Sequence, residues 1–90
     1  MSTCIRLVFF ARLRERFGRS EERLMLSPEV ITVGDLLTYL RGRDDVGAME
    51  LAAGRPFGVA VNHQQVQPSE FERRLRDGDE VAIFPPVTGG

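Results

Sequence analysis

Thr32-Val33-Gly34-Asp35-Leu36-Leu37-Thr38-Tyr39-Leu40-Arg41 is the stretch from which the fold follows. Thr32 suits a helix N-cap, because its hydroxyl can accept from an amide that the first turn leaves without a partner. Asp35, three residues on, puts negative charge where the helix dipole favours it. Val33, Leu36, Leu37 and Leu40 recur at i, i+3, i+4 and i+7, a single apolar stripe. The spacing predicts a helix that runs to Arg41 or Arg43 and presses that stripe against a sheet.

Strand patterns lie on both sides of it. Cys4-Ile5-Arg6-Leu7-Val8-Phe9-Phe10-Ala11 is rich in β-branched and aromatic residues, the composition of a buried strand. With Arg6 in solvent, Ile5, Leu7 and Phe9 face the core, and Val8 and Phe10 share the arginine's face. Cys4, at the head of the run, reads as a buried small hydrophobe rather than a reactive thiol. Ala11 to Phe17 is polar with a helical bias and Gly18 suits a helix end, so a short helical turn is expected. Glu22 to Leu26 returns as an antiparallel partner of the first strand, stopped by Ser27-Pro28.

Beyond the main helix, Gly42 to Arg55 leaves two readings open. Met49, Leu51, Ala52 and Ala53 fit a second short helix or a loop that packs two side chains. Gly58 to Asn62 reads as a third strand with Val59 and Val61 inward. Asn62-His63-Gln64 is a tight turn and Gln65-Val66 a short return strand. His63, with no cysteine, histidine or carboxylate cluster near it in sequence, reads as a solvated turn residue. Asp77-Gly78-Asp79 is a sharp turn without the ligand spacing of a calcium loop, so no metal site is expected there. It feeds the last strand, Glu80 to Phe84, with Val81 and Ile83 inward and Ala82 and Phe84 outward.

This order of elements is that of an α+β domain. The helix supplies the crossover that lets the first and last strands pair in parallel. The expected architecture is a β-grasp over residues 1–84, a mixed sheet curled around one main helix.

Residues 85–90, Pro85-Pro86-Val87-Thr88-Gly89-Gly90, read as an extended arm leaving that body. Two prolines lack amide donors and fix φ, so a β-ladder cannot easily continue through them. Gly89 and Gly90 have no Cβ and can enter a channel too narrow for other residues. Pro86 to Gly90 can span roughly 17 Å, enough to carry the terminal carboxylate deep into another protein.

Ninety residues, 42% hydrophobic and 28% charged, make one ordinary globular domain with a modest core. A net charge of −1 gives no overall pull toward nucleic acid or a membrane surface. One cysteine cannot form an internal disulfide, and neither a long apolar run nor a signal-peptide pattern is present. The expectation is a cytoplasmic protein. All twelve basic residues are arginine. A GC-rich genome explains this, as does avoidance of amines that would attack an activated acyl terminus. Both explanations stay open.

Inside the body no nucleophile–base pair, phosphate loop or metal-ligand spacing is found. The group with a distinctive presentation is the α-carboxylate of Gly90. As an ionised carboxylate it is a poor electrophile. An ATP-dependent partner would make it attackable as an acyl adenylate, after which sulfur gives a thiocarboxylate and an amine gives an isopeptide. Strand parity adds a surface: Val8, Phe10, Ala82 and Phe84, with Ala60, form an apolar patch beside the root of the arm, suited to partner docking. Arg12, Arg14 and Arg16 fit either its polar rim or a solvated helix face.

The Phe9-Phe10-Ala11 strand end, the Leu75 to Val81 turn and Phe84-Pro85-Pro86-Val87-Thr88-Gly89-Gly90 resemble the small subunit of molybdopterin synthase. That family consists of sulfur carriers with the ubiquitin-like β-grasp fold. The resemblance spans essentially the whole chain and is specific at the arm. It implies that an E1-like adenylyltransferase activates Gly90 with ATP and that a sulfur donor protein supplies the thiocarboxylate. It further implies docking on the large synthase subunit in a heterotetramer, where sulfur passes to cyclic pyranopterin monophosphate. Gly90 matches the thiocarboxylated residue, Gly89, Thr88, Val87 and Pro86 the inserted arm, and Phe10 and Phe84 the docking face. No cofactor is expected on this chain itself. Gln65 departs from the pattern, which often has an apolar residue there, and this weakens the case for docking by that hairpin.

Other readings share some of these features. A sulfur carrier for thiazole, cysteine or thionucleoside synthesis would use the same activation and a different acceptor. A ubiquitin-like modifier would form isopeptides through Gly90. A plain interaction module would not need Gly89 and Gly90.

Overall fold

The computed structural model describes residues 3–86 of the chain. The elements are β1 (Thr3–Phe9), α1 (Arg12–Phe17), β2 (Glu21–Leu26), α2 (Val33–Arg43), α3 (Asp45–Glu50), β3 (Gly58–Val61), β4 (Gln64–Val66) and β5 (Glu80–Phe84), with a 3-10 turn at Pro68–Glu70. Among the described residues the strands form one mixed sheet in the order β2-β1-β5-β3-β4. β1 and β5 pair in parallel at its centre, and the other pairs are antiparallel. This is the β-grasp that the helix crossover implies.

α2 starts where its sequence says it should. The Asp35 amide donates to the Thr32 hydroxyl (3.1 Å), and the Asp35 carboxylate accepts from the amides of Thr32 and Ile31 (both 3.0 Å). Those backbone donors, Ile31 first and Thr32 second, hold the Asp35 carboxyl below its ordinary range. The stripe Val33, Leu36, Leu37 and Leu40 is fully buried on the inner face of the sheet, with Ile5, Leu7, Phe9, Val59, Val61, Val81 and Ile83. Burying each such side chain stabilises the fold by about 1.5–3 kcal/mol before entropy.

The short turn expected after β1 is α1. Its Leu13 is buried, and Gly18 closes it at φ 78° with its amide donating to the Arg14 carbonyl. Phe17 stacks on Phe9 with ring centroids 4.3 Å apart, which ties α1 to β1.

The open region resolves into a second short helix, α3. Asp44 caps it by accepting from the Gly47 amide (2.8 Å). Gly47 lies so close to the Leu40 carbonyl that a Cβ there would overlap it, and this close approach lets α3 fold back on the end of α2. Leu51 is fully buried, whereas Met49 is exposed.

Cys4 differs from expectation. It lies half-buried on the same face as Arg6, opposite Met25 in the β1–β2 register, and is not part of the core. The period-2 alternation that turns Arg6 outward turns Cys4 outward too. Asn62 (φ 50°) and His63 (φ 70°) form the β3–β4 turn, and His63 is exposed. The Asp77 carboxylate accepts from the Cys4 amide (2.8 Å), while Asp79 accepts from the Arg76 amide (2.8 Å) and the Asn62 side chain (2.9 Å). These carboxylates are spent on fixing the turn.

Candidate functional site

The outer face of the sheet is graded along the strands. At the end far from the arm, Arg6 and Glu80 pair across β1 and β5 (3.1 Å), and Arg6 also reaches Glu21 on β2 (2.7 Å). The hydrogen-bonded Glu21 carboxylate raises the pKa of the Arg6 guanidinium further above its ordinary value. Two residues along, the charge gives way to an apolar row: register sets Val8 beside Ala82, and Ala82 beside Ala60. The next row is aromatic. The Phe10 amide donates to the Ile83 carbonyl (3.1 Å), which prolongs the β1–β5 pairing and brings Phe10 alongside Phe84, and Gly58 faces Phe84 from β3.

Val8, Phe10, Ala82 and Phe84, the residues that strand parity offers for docking, thus share one face and differ in exposure. Phe10 is 49% exposed, and Val8 and Phe84 are half-buried. Ala82 is only 8% exposed, since it sits mid-sheet between Val8 and Ala60. It forms the floor of the patch and offers little surface for contact. Gln65 faces Ala60 in the β3–β4 register and is exposed, so the polar departure noted in the sequence stands at the edge of the patch.

β5 ends at Phe84, and the segment read from the sequence as an arm starts at its aromatic end with Pro85, half-buried, and Pro86, exposed. Val87, Thr88, Gly89 and Gly90 lie outside the described residues. Pro85 and Pro86 line a shallow cleft together with Arg12, Arg55 and Pro56.

Behind that cleft sits Glu50, the last residue of α3, with 2% of its side chain exposed. Arg16 donates to it through Nε (3.2 Å), and Arg12 and Arg55 approach at 3.5 and 3.6 Å. Arg12 and Arg16 are four apart on α1 and so share a face; Arg14 is not part of the group. Glu50, Arg55 and Gly58 were not singled out by the sequence. Glu50 and Gly58 acquire their meaning from partners distant in the chain, Arg16 and Phe84, and Arg55 acquires its own through that same Glu50.

With this geometry in place, comparison with known proteins adds the lineage. A model of the ThiS family matches residues 7–90. The chain belongs to the ThiS family. A molybdopterin synthase sulfur carrier subunit from Escherichia coli is 38% identical over 86 residues, covering 96% of this chain and 99% of that one. Small archaeal modifier protein 3 of Haloferax volcanii is 33% identical over 91 residues, covering 96% and 98%. The solution structure of the Haloferax volcanii HVO 2177 protein has the same fold, with a TM-score of 0.80 at 33% identity over 99% of this chain and 88% of that one. The ThiS family match takes in Val8, Phe10, Ala82 and Phe84 and runs to Gly90.

Among the described residues, no helix is long and apolar enough to cross a membrane.

Proposed function

We propose that this ThiS family member is the small, sulfur-carrying subunit of a molybdopterin synthase. The observation that carries the reading is the 38% identity to such a subunit over 99% of its length, in a family match that continues to Gly90. The apolar face at the foot of the arm supports it, because a carrier must dock while its end reaches elsewhere.

In this reading the folded body binds and the arm delivers. An E1-like adenylyltransferase joins the Gly90 carboxylate to the α-phosphate of ATP, and pyrophosphate leaves. A persulfide on a donor protein then attacks the acyl carbon and AMP leaves; a second thiol of the donor cleaves the resulting acyl disulfide, which releases the terminus as a thiocarboxylate and leaves the donor as a disulfide. Val8, Phe10 and Phe84 seat the carrier on the large subunit, and Pro86 to Gly90 enter that subunit's site. There the thiocarboxylate sulfur attacks a side-chain carbon of cyclic pyranopterin monophosphate, forming a C–S bond as the C–O bond at that carbon breaks and its oxygen leaves. Hydrolysis of the acyl link returns the Gly90 carboxylate and leaves sulfur on the pterin. The chain itself holds no cofactor, ATP is used by its partner, and the setting is the cytoplasm.

Intact mass spectrometry tests this reading. After incubation with the activating enzyme, ATP and a sulfur source, the chain should gain the mass of sulfur for oxygen. It should lose that gain when the large subunit and the pterin precursor are added. A mass that never changes overturns the proposal.

The 33% identity to a small archaeal modifier protein favours one other reading, in which Gly90 forms isopeptides. Recovery of cellular proteins with Gly90 linked to their lysines would select it.

A further inference from the structure

We infer that the cleft between Arg12 and Arg55 receives a carboxylate side chain of the protein that takes up the arm, an inference that rests on the docking reading above. Three guanidinium groups converge on the single carboxylate of Glu50, which leaves a formal excess of two positive charges at one place. Only Arg16 donates a hydrogen bond to it. Arg12 and Arg55 pair with Glu50 at 3.5 and 3.6 Å without a hydrogen bond, and their side chains keep 53% and 39% of their surface exposed. Among the described residues, neither guanidinium is engaged in a hydrogen bond.

Like charges held together repel, and a second anion between them would relieve that cost. Guanidinium groups are suited to it, since their planar donors match a carboxylate and they shed water readily. Position decides where the anion comes from. Pro85 and Pro86, the first residues of the arm, form one wall of the cleft with Pro56. The cleft therefore adjoins the aromatic row of Phe10 and Phe84, and a protein that covers that row must also cover the cleft. Buried Glu50 hydrogen-bonds Arg16 and offsets one of the three charges; it is itself too enclosed to meet the partner. The arginines then act as rim charges. Such charges speed association and set orientation more than they add affinity, and salt weakens their effect.

The experiment measures association of the full-length chain with the large synthase subunit by stopped flow, at low and at high salt. Arg12→Gln/Arg55→Gln should associate about tenfold more slowly at low salt, with the difference closing at high salt. Glu50→Gln, which removes the internal competitor and keeps the arginines, should associate severalfold faster than the unaltered chain. This opposite sign keeps the inference testable if the double variant folds poorly. Phe84→Arg serves as the docking control. If both arginine and glutamate variants match the unaltered chain in rate and salt dependence while Phe84→Arg abolishes binding, the cleft inference is overturned and the docking reading stands. If the unaltered chain does not associate at all, both fall.

Discussion

Gly58 and Phe84 face each other across β3 and β5, and the Phe84 ring occupies the space where a Cβ at position 58 would be. The ring thus lies sideways over bare backbone instead of standing clear of the sheet. Phe84 is half-buried for that reason, and the patch beside the arm stays low and flat. Gly58→Ala should lift the ring, at a stability cost of about 1 kcal/mol, since a strand residue gains propensity as it loses fit. Binding to the large subunit should weaken about tenfold, because alignment of an anchoring aromatic is lost. Calorimetric titration checks this; an unchanged dissociation constant with a displaced ring would mean that ring position is immaterial.

Phe84→Arg is a harsher change at the same place. It sets a charge in an apolar surface that a partner must desolvate. Binding should weaken by about 30-fold or more, the scale of an anchor residue, while the melting curve stays close to that of the unaltered chain. Phe10→Arg, on the neighbouring strand end and more exposed, should behave alike. A full-strength complex from either variant would remove that residue from the interface.

Deleting Gly90, or adding one residue after it, should abolish sulfur transfer and leave the fold and the docking step almost intact. The proposed chemistry resides in one carboxylate placed by the length of the arm, whereas docking belongs to the sheet. Mass analysis of the terminus and a binding titration on the same samples separate the two. Transfer that survives the extension would show that Gly90 is not the reacting residue.

The parts of this molecule that sequence disclosed are those governed by short-range periodicity. The α2 stripe and the inward sets Ile5-Leu7-Phe9 and Val81-Ile83 follow from periods of 3.6 and 2, and all are buried as read. The same alternation placed Val8, Phe10, Ala82 and Phe84 on one face. It could not show that Ala82 is shut in by Val8 and Ala60, because that depends on the register of three strands. Gly58 was invisible for the same reason. Glu50 sits in a run that looks apolar, and the arginine that hydrogen-bonds it is 34 residues away. Cys4 is a different lesson: composition suggested burial, whereas the parity fixed by Arg6 already placed it outside.

The capping box of α2 makes a prediction about acid. In the folded chain the Asp35 carboxylate accepts from the Ile31 and Thr32 amides, so its pKa lies below the ordinary value of 3.8. A carboxyl depressed by folding stabilises the native state at pH values above its unfolded pKa. That contribution fades as pH falls from the unfolded value through the folded one. Asp35→Asn keeps an acceptor and the shape but removes the charge, so the variant should melt below the unaltered chain at neutral pH. The gap should narrow as the pH is lowered past 3.8, because the unfolded chain takes up a proton there while the native carboxylate still resists it, and should close once the native carboxylate protonates too. Thermal melts from neutral pH down to about pH 2.5 read this directly, since that range brackets the ordinary titration of an aspartate. A gap that stays constant across it would mean that the α2 cap works through hydrogen-bond geometry alone and not through charge.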